Sequence, residues 1–111
     1  MPSITIQPVA GTVAVRAGGA VIAESTEALE LCEEGHDPVL YLPRADAITF
    51  CEPSDKRTTC PHKGEAVYFH IDTKSGPIEN AAWSYETPDE GVAEIAGFIA
   101  FQHERVAVEV L

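Results

Sequence analysis

The stretch EAVYFHIDTKSGPIENAAWSYE, residues 65–86, leaves this chain little choice of fold. Apolar and polar side chains alternate with a period of two on either side of the turn TKSG, which is the pattern of two paired strands. In that register Val67, Phe69, Ile71 and Ile78 face one way, toward a core. Tyr68, His70, Glu79, Trp83 and Tyr85 face the other, so the second face is aromatic and polar at once.

The neighbouring segments extend the same theme. VAVRAGGAVIAES reads as a hairpin, because Gly18-Gly19 supplies the positive φ angles of a tight two-residue turn. Val13, Val15 and Ile22 then share one face, and Arg16 lies on the other beside Ala14, Val21 and Ala23, with open room in front of it. LELCEE and PVLYLP are short strands around the turn GHD. From Pro43 to Lys63 the periodicity weakens, and PSDKRTTCPHKG reads as an ordered loop, a kind that often carries function. TPDE predicts a helix start, with Thr87 as N-cap, Pro88 in the first position and Glu90 completing a capping box. The helix spans roughly 88–95 and Gly97 can end it. GFIAFQHERVAVEVL closes as a third hairpin turning at His103-Glu104. The expected class is mostly β with one short helix, in a single domain over residues 1–111.

Composition narrows the partners. Eighteen acidic residues against seven basic ones give a formal charge of -11. Such a surface repels phosphate backbones, so nucleic acid and anionic membranes are not expected partners. The opening MPSITIQPVAG has no basic start and no long apolar run, so neither a leader nor a membrane span is expected. Three cysteines without a disulfide framework fit a reduced, cytoplasmic setting.

The residues that could carry chemistry concentrate in TTCPHKG, residues 58–64. Cys60 has His62 and Lys63 close by in sequence, and nearby positive charge is what activates a thiol. The plainer reading is a small buried apolar residue, and a third is a ligand-contacting but unreactive one. Cys51, Cys60 and His62, with Cys32, His36 or His70, could supply zinc ligands, but the close C-x-x-C pairs of a structural site are missing. Neither metal nor cofactor is expected. Phosphate-binding glycine loops are absent, and the carboxylate pairs Glu33-Glu34 and Asp89-Glu90 read as solvated surface. The aromatic face is the strongest constellation. It is either a second core or, joined by Arg16 and Lys63, an apolar pocket with a few polar groups.

GGAVIAES, PVLYLPRAD, TTCPHKGEAVYF, AAWSYETP and IAGFIAF, in this order over nearly the whole chain, resemble the small bacterial domain-of-unknown-function family 427, which also has fungal members. The resemblance implies two antiparallel sheets meeting around a cleft, similar to the β-tent or Mss4-like group. Zinc-bearing members of that group use C-x-x-C knuckles that this sequence lacks. One classification labels the family nucleotidyltransferases, yet neither a Gly-Ser loop nor an Asp-x-Asp pair occurs here. Carried over by position, the pattern selects Arg16, Thr59, Cys60, Lys63, Gly64, Tyr68, Trp83 and Tyr85. The leading expectation is a binding module for a small anionic or planar ligand. Lys63 and Arg16 would supply charge, Trp83 and Tyr85 stacking, and Thr59 a hydrogen bond. An enzyme using Cys60 or Lys63, or transferring a nucleotide, and a protein-interaction module are the rival readings. The oligomeric state stays open.

Overall fold

The structure is a computed structural model that describes residues 3–111. Ten strands, numbered in chain order, form two antiparallel sheets. The small sheet holds β2 (Val13–Ala17) between β3 (Ala20–Ser25) and β10 (Val106–Val110). The large sheet runs β1 (Ile4–Pro8), β4 (Leu29–Glu33), β5 (Val39–Leu42), β9 (Ile99–Phe101), β8 (Gly76–Ser84), β7 (Gly64–Thr73), β6 (Cys51–Cys60) across its width. A single helical turn, α1 (Arg44–Ala47), follows β5. The mostly β fold of two antiparallel sheets is therefore as expected.

Apolar area decides how the sheets meet. Val13, Val15, Ala17 and Ile22 of the small sheet pack against Leu42, Phe69, Ile71, Ile78, Ala82, Ile99 and Phe101 of the large one. This face of the β7–β8 hairpin is the one that alternation assigns to the core. The opposite face carries a second cluster, built from Leu31, Tyr41, Ala66, Tyr85 and Ala100 and roofed by Val92 and Ile95. Tyr68 and Trp83 lie half-buried against it.

The β2–β3 turn has Gly18 at φ 59° and Gly19 at φ 79°, the left-handed pair that this turn demands. Between Val15 and Arg16 the pairing slips by one residue, so Ala23 faces the core opposite Val15 and not outward beside Arg16. In the β7–β8 hairpin the slip between Phe69 and Ile71 inserts two residues instead. An even insertion preserves alternation, and Trp83 stays on the face of Tyr68, its direct partner. Asn80 takes φ 52° in this bulge. Its amide donates to His70 Nδ1 at 3.0 Å, and its side chain accepts from Ser54 Oγ.

Three expectations are corrected. PSDKRTTCPHKG, residues 53–64, is not a loop along most of its length, for β6 is a ten-residue strand paired with β7 and only the turn 61–63 interrupts it. An outermost strand has solvent on one flank, so polar side chains and Pro53 are tolerated and no apolar period appears. The 88–95 helix is a kinked 3-10 segment, Glu90–Ile95, that starts after Asp89 with no side-chain cap. Thr87 does not cap it, because the Asp89 amide is already used by the Lys63 carbonyl at 3.1 Å. The third hairpin is also absent. All three residues of β9 are buried, which suits an interior strand between β5 and β8, whereas β10 crosses to the small sheet after a single bridge, His103 to Val106.

Candidate functional site

The side of the large sheet that carries Tyr68 and Trp83 opens into a cleft of about 1160 Å³. It runs past the end of β9 to Gln102, His103 and then Val106 and Val108 of β10, so both sheets contribute to its walls.

One wall is the turn Cys60–Lys63. Pro61 pre-sets the second position of the turn, and the Lys63 amide donates to the Cys60 carbonyl at 3.3 Å. Gly64 then takes φ 108°, a conformation that a side chain would strain. The bond from the Asp89 amide to the Lys63 carbonyl ties this turn to the 3-10 segment. The local sequence thus fixes where the Lys63 side chain begins.

Where it ends is set from β4. Lys63 Nζ donates to Glu33 Oε1 at 2.8 Å, and the two side chains are only 12% and 8% exposed. The hydrogen bond from Lys63 holds the Glu33 carboxyl below its usual range, against the opposing effect of burial. For Lys63, burial disfavours the charged form. The Glu33 bond and the charges of Cys60, Glu33 and Tyr41 together outweigh it and raise the ammonium's pKa. Glu33 is therefore not the solvated carboxylate that Glu33-Glu34 suggests in sequence.

The floor is aromatic. Trp83 Nε1 donates to the Tyr41 hydroxyl at 3.4 Å. Burial raises the pKa of both Tyr41 and Tyr85, so both phenols stay protonated at neutral pH. Tyr85 is 7% exposed and acts as a wall, with little ring face to offer. The rings of Tyr68 and Trp83 have centroids 6.3 Å apart and are inclined at 40°. The Tyr68 hydroxyl lies 3.0 Å from Thr58 Oγ1, and Lys56 Nζ sits 4.6 Å from the centre of the Tyr68 ring.

Cys60, Lys63, Tyr68, Trp83 and Tyr85 all line this cleft. Two others do not line it. Arg16 projects from β2, half exposed, and its Nε donates to Glu109 Oε1 at 2.9 Å. Thr59 points outward from β6, and its neighbour Thr58 is the residue that meets Tyr68. Glu33, Tyr41 and Lys56 were not foreseen. Alternation in PVLYLP separates Tyr41 from Leu40 and Leu42 and could have placed it with Leu31 across the turn. Lys56 gave no such signal, because its strand reads as a loop. Among the described residues no three His, Cys, Asp or Glu side chains group as metal ligands would.

No curated protein matches the chain. Residues 5–111 match the family described as Domain of unknown function (DUF427), whose short name denotes a nucleotidyltransferase, and the chain belongs to that family.

Proposed function

From the geometry of the cleft, we propose that this domain binds a small planar molecule with a polar or anionic edge, held against the exposed part of Trp83. The observation that carries this reading is a half-buried tryptophan whose indole N–H is already bonded to Tyr41, beside a tilted Tyr68 and above an otherwise filled apolar cluster. A ring fixed in that way loses little freedom when a flat ligand lies on it, and aromatic floors with a few polar groups are the usual make-up of small-molecule sites.

Binding is favoured over covalent catalysis by the state of Lys63. An amine nucleophile must be neutral, which calls for a lowered pKa, and here the Glu33 partner raises it. Nucleotide transfer is disfavoured by the same pair. Magnesium-bound triphosphates need free carboxylates near the phosphates, and of the cleft's two carboxylates, Glu33 and Asp37, the first is engaged by Lys63.

Trp83 is the single tryptophan of the chain, so its emission reports on the cleft alone. Naphthoate and naphthamide, one anionic and one neutral, serve as flat probes. Saturable quenching by either, with a calorimetric heat that disappears in Trp83→Leu, is the expected result. Linear quenching by both, with no heat at millimolar concentration, refutes the reading.

A further inference from the structure

We infer that Lys56, and not the more prominent Lys63, selects the ligand's charge, and that the ligand class is a planar monoanion such as an aromatic carboxylate. The inference rests on the proposed binding reading and sharpens it.

The argument is a count of charges around the cleft. The ionisable side chains that line it are Lys56, Lys63, Glu33 and Asp37, together with the imidazoles of His36, His62 and His103. Lys63 and Glu33 are bonded to each other at 2.8 Å, with both side chains nearly buried, so together they present a dipole and no net charge. Lys56 differs. Among the described residues it has no carboxylate within ion-pair distance, and its ammonium rests on the face of Tyr68. A cation over a ring keeps its N–H donors free of any protein acceptor, so they remain open to an anion.

The backbone explains why Lys56 arrives there. The pairing of β6 with β7 slips between Pro53 and Arg57. Ser54 Oγ accepts from the Lys56 amide at 3.1 Å, and Arg57 Nη1 donates to the carbonyls of Ser54 and Lys56, both at 2.8 Å. This bulge is pinned from both sides, and it sets Lys56, exposed like most of β6, where its ammonium can rest over Tyr68.

A flat ligand on Trp83 would place an acidic substituent within reach of the ammonium over Tyr68, whose ring centre lies 6.3 Å from that of Trp83. Lys56 is the lysine of the cleft left without a carboxylate, and its single ammonium matches one negative charge. A second negative charge on the ligand would find Lys63 already neutralised by Glu33 and Asp37 repelling it. Phosphate dianions and nucleoside polyphosphates are therefore poorer matches than carboxylates.

The test uses naphthoate, naphthamide and naphthyl phosphate against the wild type, Lys56→Met, the double variant Glu33→Gln/Lys63→Met, and Lys74→Met as a cation change outside the cleft. Thermal midpoints are read first to confirm folding. The wild type is expected to bind naphthoate about fivefold more tightly than naphthamide, the order of one partly exposed charge contact, and to bind naphthyl phosphate no more tightly than naphthoate. In Lys56→Met the two affinities should become equal, with naphthamide unchanged. The preference should survive in the double variant and in Lys74→Met. If it survives in Lys56→Met, or vanishes in the double variant, or if the phosphate binds best, the inference is overturned while the binding site stands. Equal affinity of the wild type for naphthoate and naphthamide overturns it in the same way. If no probe binds at all, the site and the inference fall together.

Discussion

Removing the Lys63 ammonium should make the cleft unstable in a way that pH reveals. Lys63 Nζ and Glu33 Oε1 are 2.8 Å apart, with side chains 12% and 8% exposed. Breaking a fully enclosed pair from one side costs ~3–5 kcal/mol, and an exposed pair under ~1 kcal/mol. This pair has protein on most sides and the open cleft on the other, so Lys63→Met should cost about 2 kcal/mol at neutral pH. For a domain of this size that is a fall of roughly 10 °C in the melting midpoint. Glu33→Gln/Lys63→Met leaves no orphaned charge and should cost under ~1 kcal/mol, giving a favourable coupling in the double-mutant cycle.

The pH dependence has a definite sign. The folded-state pKa of Glu33 is lowered by Lys63, so its contribution is present above the ordinary value of 4.5 and is lost as pH falls through the lower folded value. The folded-state pKa of Lys63 is raised, so its contribution is complete below 10.5 and is lost as pH rises through the higher folded value. In Lys63→Met burial acts on Glu33 without the ammonium and pushes its carboxyl up, with only the charges of His36 and His62 opposing. The variant should then regain stability relative to the wild type as pH falls from 7 toward 5. Urea midpoints at both pH values, for the wild type, both single variants and the double, measure this. A Lys63→Met cost below ~0.5 kcal/mol at pH 7, or one that grows at pH 5, refutes the buried-pair argument.

Asn80→Val should cost about 2 kcal/mol, since a β-branched residue is forced to φ 52° and Ser54 loses its acceptor, whereas Asn80→Gly should cost less than ~1 kcal/mol. A valine variant that melts above the glycine variant would show that the bulge is unstrained. Thr87→Ala should leave the denaturation midpoint unchanged, because Thr87 caps nothing, and a loss near ~1 kcal/mol would reinstate the cap. Burial pushes the Cys51 thiol up to about 11, so alkylation of Cys51 by iodoacetamide should be slow at pH 8 and rise steeply toward pH 11, with folding stability falling from pH 9 to 11 as the unfolded thiol ionises first. Rapid labelling of Cys51 at pH 8, located by mass spectrometry, would contradict its burial.

What could be read from the sequence was what alternation and turn chemistry encode locally. The β7–β8 hairpin, its two faces and the Gly18-Gly19 turn all follow from patterns within a few residues. The two-residue bulge at Asn80 left no trace in the pattern because an even insertion restores parity. The one-residue slip beside Arg16 did the opposite and turned Ala23 inward. β6 was illegible for another reason: a polar edge strand has no buried face to impose a period. The partner of Lys63 was illegible in principle, since Glu33 is brought to it by strand order and not by sequence proximity. Arg16 is the converse case, a cation with small neighbours whose room is taken by Glu109.

The acidity of the chain bears on the site more than its individual contacts suggest. Among eighteen acids and seven bases, only some of the cations are paired with a carboxylate. Arg16, Arg44 and Lys63 each have a glutamate partner. Lys56, like Arg57, Lys74 and Arg105, has no carboxylate within ion-pair distance among the described residues, and of these four it is the one that lines the cleft, its ammonium over Tyr68. The same excess of negative charge acts on whatever approaches. Over a Debye length of ~8 Å at physiological salt, the surface repels each negative charge on a ligand, and the repulsion grows with the number of charges. Attraction inside the cleft does not grow with it, because one lysine is spent on Glu33 and one is not. The balance therefore favours a ligand carrying a single negative charge and a large flat apolar surface, with burial against Trp83 supplying most of the affinity and Lys56 supplying the discrimination.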